Sequence, residues 1–251
     1  MAKLFDVQAV FSHLSEILAY LPVTLELAVI SMLIAVILGL ILAVIKINHV
    51  PVLTAAVNVF VSVIRGTPII VQLYITYFGI PMVLKYISTR NGTEFQSGNV
   101  PGIFCAIVAL SVNESAYIAE IFRGALQSVG TGQIEAANAL GMTYFQALRR
   151  IILPETLTVA LPGLGNSFIG LIKGTSLAFT CAVVEITAQG KIIGGRTYRY
   201  FEVYVSLALI YWVVTIVVEQ LVKLLERKNE IPENAALVTE RVCEAKPGQR
   251  I

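Results

Sequence analysis

Residues Gln133–Pro154 read QIEAANALGMTYFQALRRIILP, a polar interruption between long apolar segments. Its first half is small and helix-favouring: Glu135, Ala136, Ala137, Ala139 and Leu140, then Gly141. Glycine takes the left-handed conformation that ends a helix without a Cβ penalty, and Thr143 is a suitable N-cap for a second helix. The second half, from Thr143 to Ile152, is amphipathic and closes at Pro154. The pattern predicts two short helices at an angle, the first about 12 Å long at 1.5 Å rise per residue. Alanine side chains let another backbone come close, so the first helix suits a protein–protein contact. An ordinary helical hairpin between longer segments accounts for the periodicity equally well.

Composition sets the surroundings. The chain has 251 residues, 57% hydrophobic and 14% charged, with mean hydropathy +0.80. Ordinary chains carry roughly 25% charged residues, so this one reads as a polytopic membrane protein. A net charge of +2 with no basic block gives no reason to expect a nucleic-acid partner. Cys105, Cys181 and Cys243 show no CxxC spacing, and their odd number argues against a disulfide framework. His13 and His49 stand too far apart in sequence to suggest a metal site. No G-x-x-x-x-G-K-[ST] occurs, so the chain is expected to bind no ATP by a P-loop and to need no cofactor of its own. If ATP drives its work, another polypeptide binds it.

Immediately upstream of the stretch, Pro101–Phe122 reads as a span carrying Asn113, Glu114, Tyr117 and Glu120. Asn113, Tyr117 and Glu120 fall at i, i+4 and i+7, one face of a helix. Polar groups at membrane depth are costly, so this face should meet the bundle interior or a water-filled cavity. Helix–helix contact is the equal alternative to a ligand role. Before it, Lys85–Val100 is polar, and Pro51–Met82 is apolar for longer than one span requires. Pro68 interrupts that segment at Arg65-Gly66-Thr67-Pro68, since it lacks an amide donor and biases Thr67 away from the helical region. Val23–Ile45 is a span slightly over the ~20 residues needed. Leu4, Val7, Phe11, Leu14, Leu18 and Leu21 repeat at helical spacing among polar residues. That predicts an amphipathic helix over 1–21 lying along the membrane surface, with packing on the other segments as the alternative. A basic leader and a cleavage site are lacking, so a signal peptide is not expected.

Downstream, Glu155–Val184 is again too long and again interrupted, at Lys173-Gly174-Thr175-Ser176, and Phe201–Leu225 is a fifth span. The predicted fold is therefore an all-α polytopic membrane protein with five transmembrane helices. Its parts are a surface helix over 1–21, a membrane domain over 22–228 containing the loop 127–154, and a polar tail over 229–251. Five spans put the two ends of the bundle on opposite sides. A slight excess of Lys and Arg favours a cytoplasmic loop and C-terminus.

The two interruptions share a wording: a cation, Gly, Thr, then a residue that starts a helix. They lie in the second and fourth spans, which run in the same direction. Interrupted spans in matching places point to a midplane site in transporters. Where a helix restarts, free amides and the positive dipole end favour a carboxylate. Thr67, Thr175 and Ser176 add hydroxyls, and Arg65 or Lys173 could add charge. Snorkelling cations at simple hinges are the equal competing reading, and of the two interruptions Lys173–Ser176 is the stronger candidate site.

The wording carries further than the periodicity. Glu135-Ala136-Ala137, with Gly141 six positions after the Glu and Leu153-Pro154 beyond, resembles the EAA loop of ABC importer permeases. RGTPIIVQLYITYFGIP, from Arg65 to Pro81, resembles the RGTP segment of amino-acid ABC permeases, and NESAYIAEIFRGALQSV, from Asn113 to Val129, their AYxAExxRG segment. The likeness runs from roughly Thr24 to Glu219. It implies a type I ABC importer permease in a multi-pass arrangement in the cell membrane. It also implies a cytoplasmic ATP-binding subunit dimer gripping Glu135, Ala136, Ala137, Gly141 and Leu148, an extracellular solute-binding protein, and a second permease copy or a related permease. Arg65, Thr67, Tyr117, Glu120, Lys173, Thr175 and Ser176 become the candidate substrate contacts, with one or both interruptions holding an amino acid's α-carboxylate. Many relatives read K-D-T-S in the fourth span. Gly174 here replaces the acid, and KGTSLAF is similar to the cystine-type version, which favours a polar, uncharged amino acid.

Two other functions fit the residues alone. An ion-coupled secondary carrier would use Glu114 and Glu120 for the ion, and a non-transporting receptor or scaffold would move nothing. No nucleophile–base pair or metal-ligand spacing supports an enzyme.

Overall fold

The computed structural model of the protein describes residues 5–93 and 100–229. Of the expected tail over 229–251, all but Asn229 lies outside them, as do residues 1–4 of the expected surface helix. In chain order the described elements are α1 (Val7–Ser12), α2 (Leu14–Leu18), α3 (Leu21–Ile47), α4 (Leu53–Gly66), α5 (Ile69–Arg90), α6 (Gly102–Ser128), α7 (Thr131–Ala139), α8 (Tyr144–Ala147), α9 (Leu153–Gly174), α10 (Ile186–Thr197) and α11 (Tyr200–Asn229). α3, α5, α6 and α11 are each long and apolar enough to cross a membrane. The run Tyr144–Cys181 and α10, which meet at a bend of 56°, make a fifth crossing when the bent pair counts as one broken span.

The seam between α3 and α6 is built from small residues. Ala35 and Ala43 are buried against Ile118, Phe122 and Ala125. A Cβ on Gly39 would stand 2.6 Å from Ile118 Cγ2, so only glycine allows this approach. α9 packs on the same α6 and on α11, which makes α6 the central helix.

Four expectations need correcting. The N-terminal stretch forms two helices rather than one, interrupted at His13, and Asp6 caps the first by accepting from the Gln8 amide at 3.0 Å. These helices pack on α10 and α11: Ile17 is buried with Ile186, Ile193, Val203 and Leu207. Ser206 Oγ donates to the Val10 carbonyl at 2.6 Å, and ion pairs join Arg199 to Asp6 and Arg196 to Glu16, both at 2.8 Å. Second, the helix runs past Met82, where the apolar segment ends, through the polar residues from Lys85 to Arg90, and stops at Asn91 and the left-handed Gly92. Third, α8 is not a separate short helix. A π-helical turn over Leu148–Ile152 joins it to α9, and Pro154, which has no amide to donate, follows directly after that turn.

The fourth correction concerns the second interruption. The chain does not break at Lys173–Ser176; it tightens there into a 3-10 helix over Thr175–Cys181. The break comes seven residues after Thr175, at Ala182, which is left-handed at φ 59°. Gly174 is tolerated inside the helical run, and the turn is set instead by Glu185, whose carboxylate accepts from the amides of Thr187 at 2.9 Å and Ala188 at 2.8 Å. The first interruption lies where Pro68 predicts it: α4 ends at Gly66, Thr67 is extended, and α5 begins at Ile69.

Candidate functional site

At one end of the bundle α6 runs out through Ser128 into a two-helix elbow. α7 ends in a complete Schellman motif. Gly141 is left-handed at φ 73°, its amide donates to the Asn138 carbonyl at 2.9 Å, and the Met142 amide donates to Ala137 at 3.0 Å. The next helix starts in a capping box: Gln146 N donates to Thr143 Oγ1 at 3.4 Å and Thr143 N to Gln146 Oε1 at 2.9 Å. These two devices fix the elbow angle from within the chain. Ala137 and Ala147 point inward and are buried, whereas Glu135 and Ala136 are exposed and Leu148 is half-buried.

Around Glu135 the elbow exposes apolar surface that sequence reasoning did not pick out. Leu140 is 82% exposed, Tyr144 76% and Phe145 69%. Aromatic side chains left uncovered on a rigid polar elbow mark a surface for another protein. The usable signal was the amphipathic run itself, whose apolar residues face outward here.

The second cluster lies along one face of α6. Asn113 Nδ2 donates to Gln72 Oε1 at 3.1 Å. Gln72 Nε2 in turn donates to the Ile64 carbonyl at 2.9 Å, the Thr67 carbonyl at 3.2 Å and Thr67 Oγ1 at 2.8 Å. One buried amide thus ties both sides of the first break to α6. Beside it the Arg65 guanidinium carbon stands 5.3 Å from the centre of the Tyr117 ring, a cation–π contact. Arg65, Gly66, Thr67 and Pro68 are all exposed, as is Tyr117. Gln72 was not among the expected site residues, and its partners are local except for Asn113.

Further along the same face, Glu120 pairs with Lys46 of α3 through one carboxylate oxygen and with Arg123 through the other, at 2.8 Å. Arg123 also donates to Gln127 Oε1 at 2.7 Å. Both Glu120 oxygens are engaged within the protein.

The remaining expected residues do not gather. Thr175 is fully buried and its hydroxyl donates to the Ile172 carbonyl at 2.6 Å. Lys173 is exposed and Ser176 half-buried. The structure therefore joins Arg65, Thr67 and Tyr117, and leaves Lys173, Thr175 and Ser176 apart from one another in surroundings. Among the described residues no group of His, Cys, Asp and Glu could hold a metal ion.

Comparison with known proteins matches residues 35–231 to the family described as "Binding-protein-dependent transport system inner membrane component". The chain is 43% identical over 227 residues to the "Probable amino-acid permease protein YxeN" of Bacillus subtilis (strain 168), covering 90% of this chain and 97% of that one. It is 34% identical over 228 residues to the "L-cystine transport system permease protein TcyL" of the same organism, covering 91% and 93%. Among solved structures, "Crystal structure of an amino acid ABC transporter with histidines" matches with TM-score 0.75 and 34% identity, covering 90% of this chain and 100% of that one.

Proposed function

The chain belongs to the family of binding-protein-dependent transport system inner membrane components, and from that premise we propose that it forms the membrane path for a polar, uncharged amino acid. It is a multi-pass membrane protein and a transport subunit of an ABC importer, not an enzyme, with ATP hydrolysis in separate subunits. Two copies, or one copy with a related permease, line the path. A cytoplasmic ATPase dimer docks on the α7 elbow through Glu135, Ala136 and the exposed Leu140, Tyr144 and Phe145. A solute-binding protein delivers the amino acid at the opposite end.

The observation that carries this reading is the elbow: a self-capped helix pair presenting uncovered aromatic and apolar side chains beyond the end of α6. The substrate contacts belong to the first break, where Arg65, Thr67 and Tyr117 lie together and exposed. Lys173 stays in the set by charge and Ser176 by its resemblance to a binding segment, whereas Thr175, fully buried with its hydroxyl bonded within its own helix, leaves it. For specificity, the Gly174 position is open: a Cβ there meets nothing within 4 Å. An acid is absent where relatives of the K-D-T-S type carry one, which disfavours a cationic substrate.

The test is uptake of a panel of labelled amino acids into vesicles holding the permease, its ATPase and its binding protein. ATP-dependent uptake of a neutral polar amino acid such as cystine is expected, and Gly174→Asp shifts preference toward arginine. Uptake that ignores ATP and follows an ion gradient, or no uptake of any amino acid, overturns the reading.

A further inference from the structure

Glu120 sits in a place that its engagement with two cations makes unsuited to substrate. Its side chain is 24% exposed, Lys46 is 15% exposed and Arg123 35%, so the three charges are largely withdrawn from water at the ends of α3 and α6. In such surroundings opposite charges attract far more strongly than in bulk water, and a lone charge is costly. Two cations share one carboxylate. Removing the carboxylate leaves Lys46 and Arg123 facing each other without a counter-charge.

The position matters as much as the chemistry. The α3–α6 seam is apolar and small-residue, with Gly39 against Ile118 and Ala35, Ala43 and Ala125 buried along it. Such a seam resists separation but gives few directional contacts against sliding or rotation. The Lys46–Glu120 pair supplies a directional contact across it, between residues 74 positions apart. From Glu120 the network continues through Arg123 to Gln127, one residue before α6 ends, and α7 begins at Thr131.

Resting on the importer reading, we propose that Glu120, with Lys46 and Arg123, is the joint that makes α3 follow α6 when the ATPase moves the α7 elbow. Glu120 is then a positioning residue for energy coupling, not a substrate contact. A push on α7 reaches α6 along the continuous chain. With the joint intact, α3 turns with it and the bundle changes state as a body. With the joint broken, α6 moves against α3 and hydrolysis proceeds without a full transport step.

The test uses the assembled importer in proteoliposomes, measuring amino-acid uptake and ATP hydrolysis together. Glu120→Gln and Lys46→Met are each expected to lower the amino acid moved per ATP hydrolysed about tenfold, within the range typical of coupling between sites. KM for uptake should stay where it is. The double variant Glu120→Gln/Lys46→Met should be no worse than either single one, because both remove the same link. Lys46→Met keeps the Glu120–Arg123 pair, so it carries the test if Glu120→Gln does not assemble.

Three results overturn the proposal: a raised KM with unchanged stoichiometry, which makes Glu120 a substrate contact; uptake and hydrolysis falling in parallel, which makes the network merely structural; or additive losses in the double variant. Absence of any amino-acid uptake in the unaltered importer would sink the functional reading instead, and the two failures cannot be confused.

Discussion

At the first break the backbone turns through Thr67 and Pro68, with both residues and the preceding Arg65 and Gly66 exposed. At the second it turns through Ala182–Glu185, with Val183 and Glu185 buried and Ala182 and Val184 exposed between them. The chemistry of the two turns explains the contrast. Proline has no amide, so the first break frees few donors, and one glutamine side chain, Gln72, closes the carbonyls around it. The second break has no proline. The first amides of α10 need an acceptor within an apolar bundle, and a fully buried glutamate supplies it. Its buried positions are well packed: Cys181 and Val183 join Leu73, Ala106 and Ala178 in one apolar cluster, and the Cys181 thiol donates to the Leu73 carbonyl at 3.6 Å, while Ala182 and Val184 face outward. One break is exposed throughout and suited to meeting a ligand, and the other is a structural corner pinned by buried side chains at alternate positions.

Disrupting the pinned corner should cost most. Gly102, at the start of α6, lies so near the 3-10 segment that a Cβ would stand 1.9 Å from the Cys181 carbonyl oxygen. That neighbour is backbone and cannot swing away. Gly102→Ala is expected to destabilise by about 3 kcal/mol, the upper end of ordinary overpacking. Thermal unfolding of the detergent-solubilised protein reads it directly. A variant as stable as the parent would show the corner to be looser than its packing indicates.

The cap comes next. Glu185→Ala removes the acceptor for two amides at once and should cost about 2 kcal/mol, the larger figure for a helix cap. Glu185→Gln keeps one carbonyl oxygen in place and should recover about half. Equal losses for Ala and Gln would mean the carboxylate acts through its charge, by the Tyr211 hydroxyl 3.4 Å away, rather than as a cap.

Little of this contrast could be read from the residues, which present the two interruptions as alike, and the reasons are specific. Pro68 announces the first break because its effect is local and independent of neighbours. Gly174 gives a false signal, since glycine inside a helical run costs only about 1 kcal/mol against alanine, too little to end the helix. Ala182 gives no signal at all, being a non-glycine residue held left-handed by its surroundings. Glu185 is not a usual capping residue type, so nothing in VVEITAQ points to it. The elbow was legible because its stops, Gly141 and Thr143, act on adjacent residues. The joint between Lys46 and Glu120 was not, because the partners meet only through the fold. The N-terminal helices were recognisable by period, but their docking on α10 and α11 joins residues far apart in sequence, Ile17 in the apolar cluster with Ile186 and Val203 and ion pairs between residues 180 and 193 positions apart.

At the open break, effects on stability should be smaller and effects on transport larger. Gln72→Leu removes the amide that holds Ile64, Thr67 and Asn113 together, at about 1–2 kcal/mol. Asn113→Ala combined with it should add little, because both break one network. Full additivity in unfolding measurements would show that the break holds its shape without the link to α6.

The smallest stability effect, and the sharpest division between the two regions, comes from removing one hydroxyl at each. Thr175→Val deletes a donor whose acceptor, the Ile172 carbonyl, belongs to the same helix, and valine keeps the shape of the side chain. The expected cost is about 0.5–1 kcal/mol, the net worth of a single hydrogen bond, and uptake should be unaffected because the group is sealed from any path. Thr67→Val removes a hydroxyl that donates to the Val63 carbonyl at 2.9 Å and accepts from Gln72, yet stands exposed beside Arg65. A similar small change in unfolding is expected there, but with about a tenfold fall in uptake, about 1.4 kcal/mol, because Thr67 holds Gln72 and with it the exposed face that carries Arg65 and Tyr117. The reverse pattern, normal uptake in Thr67→Val and lost uptake in Thr175→Val, would move the substrate contacts to the pinned corner.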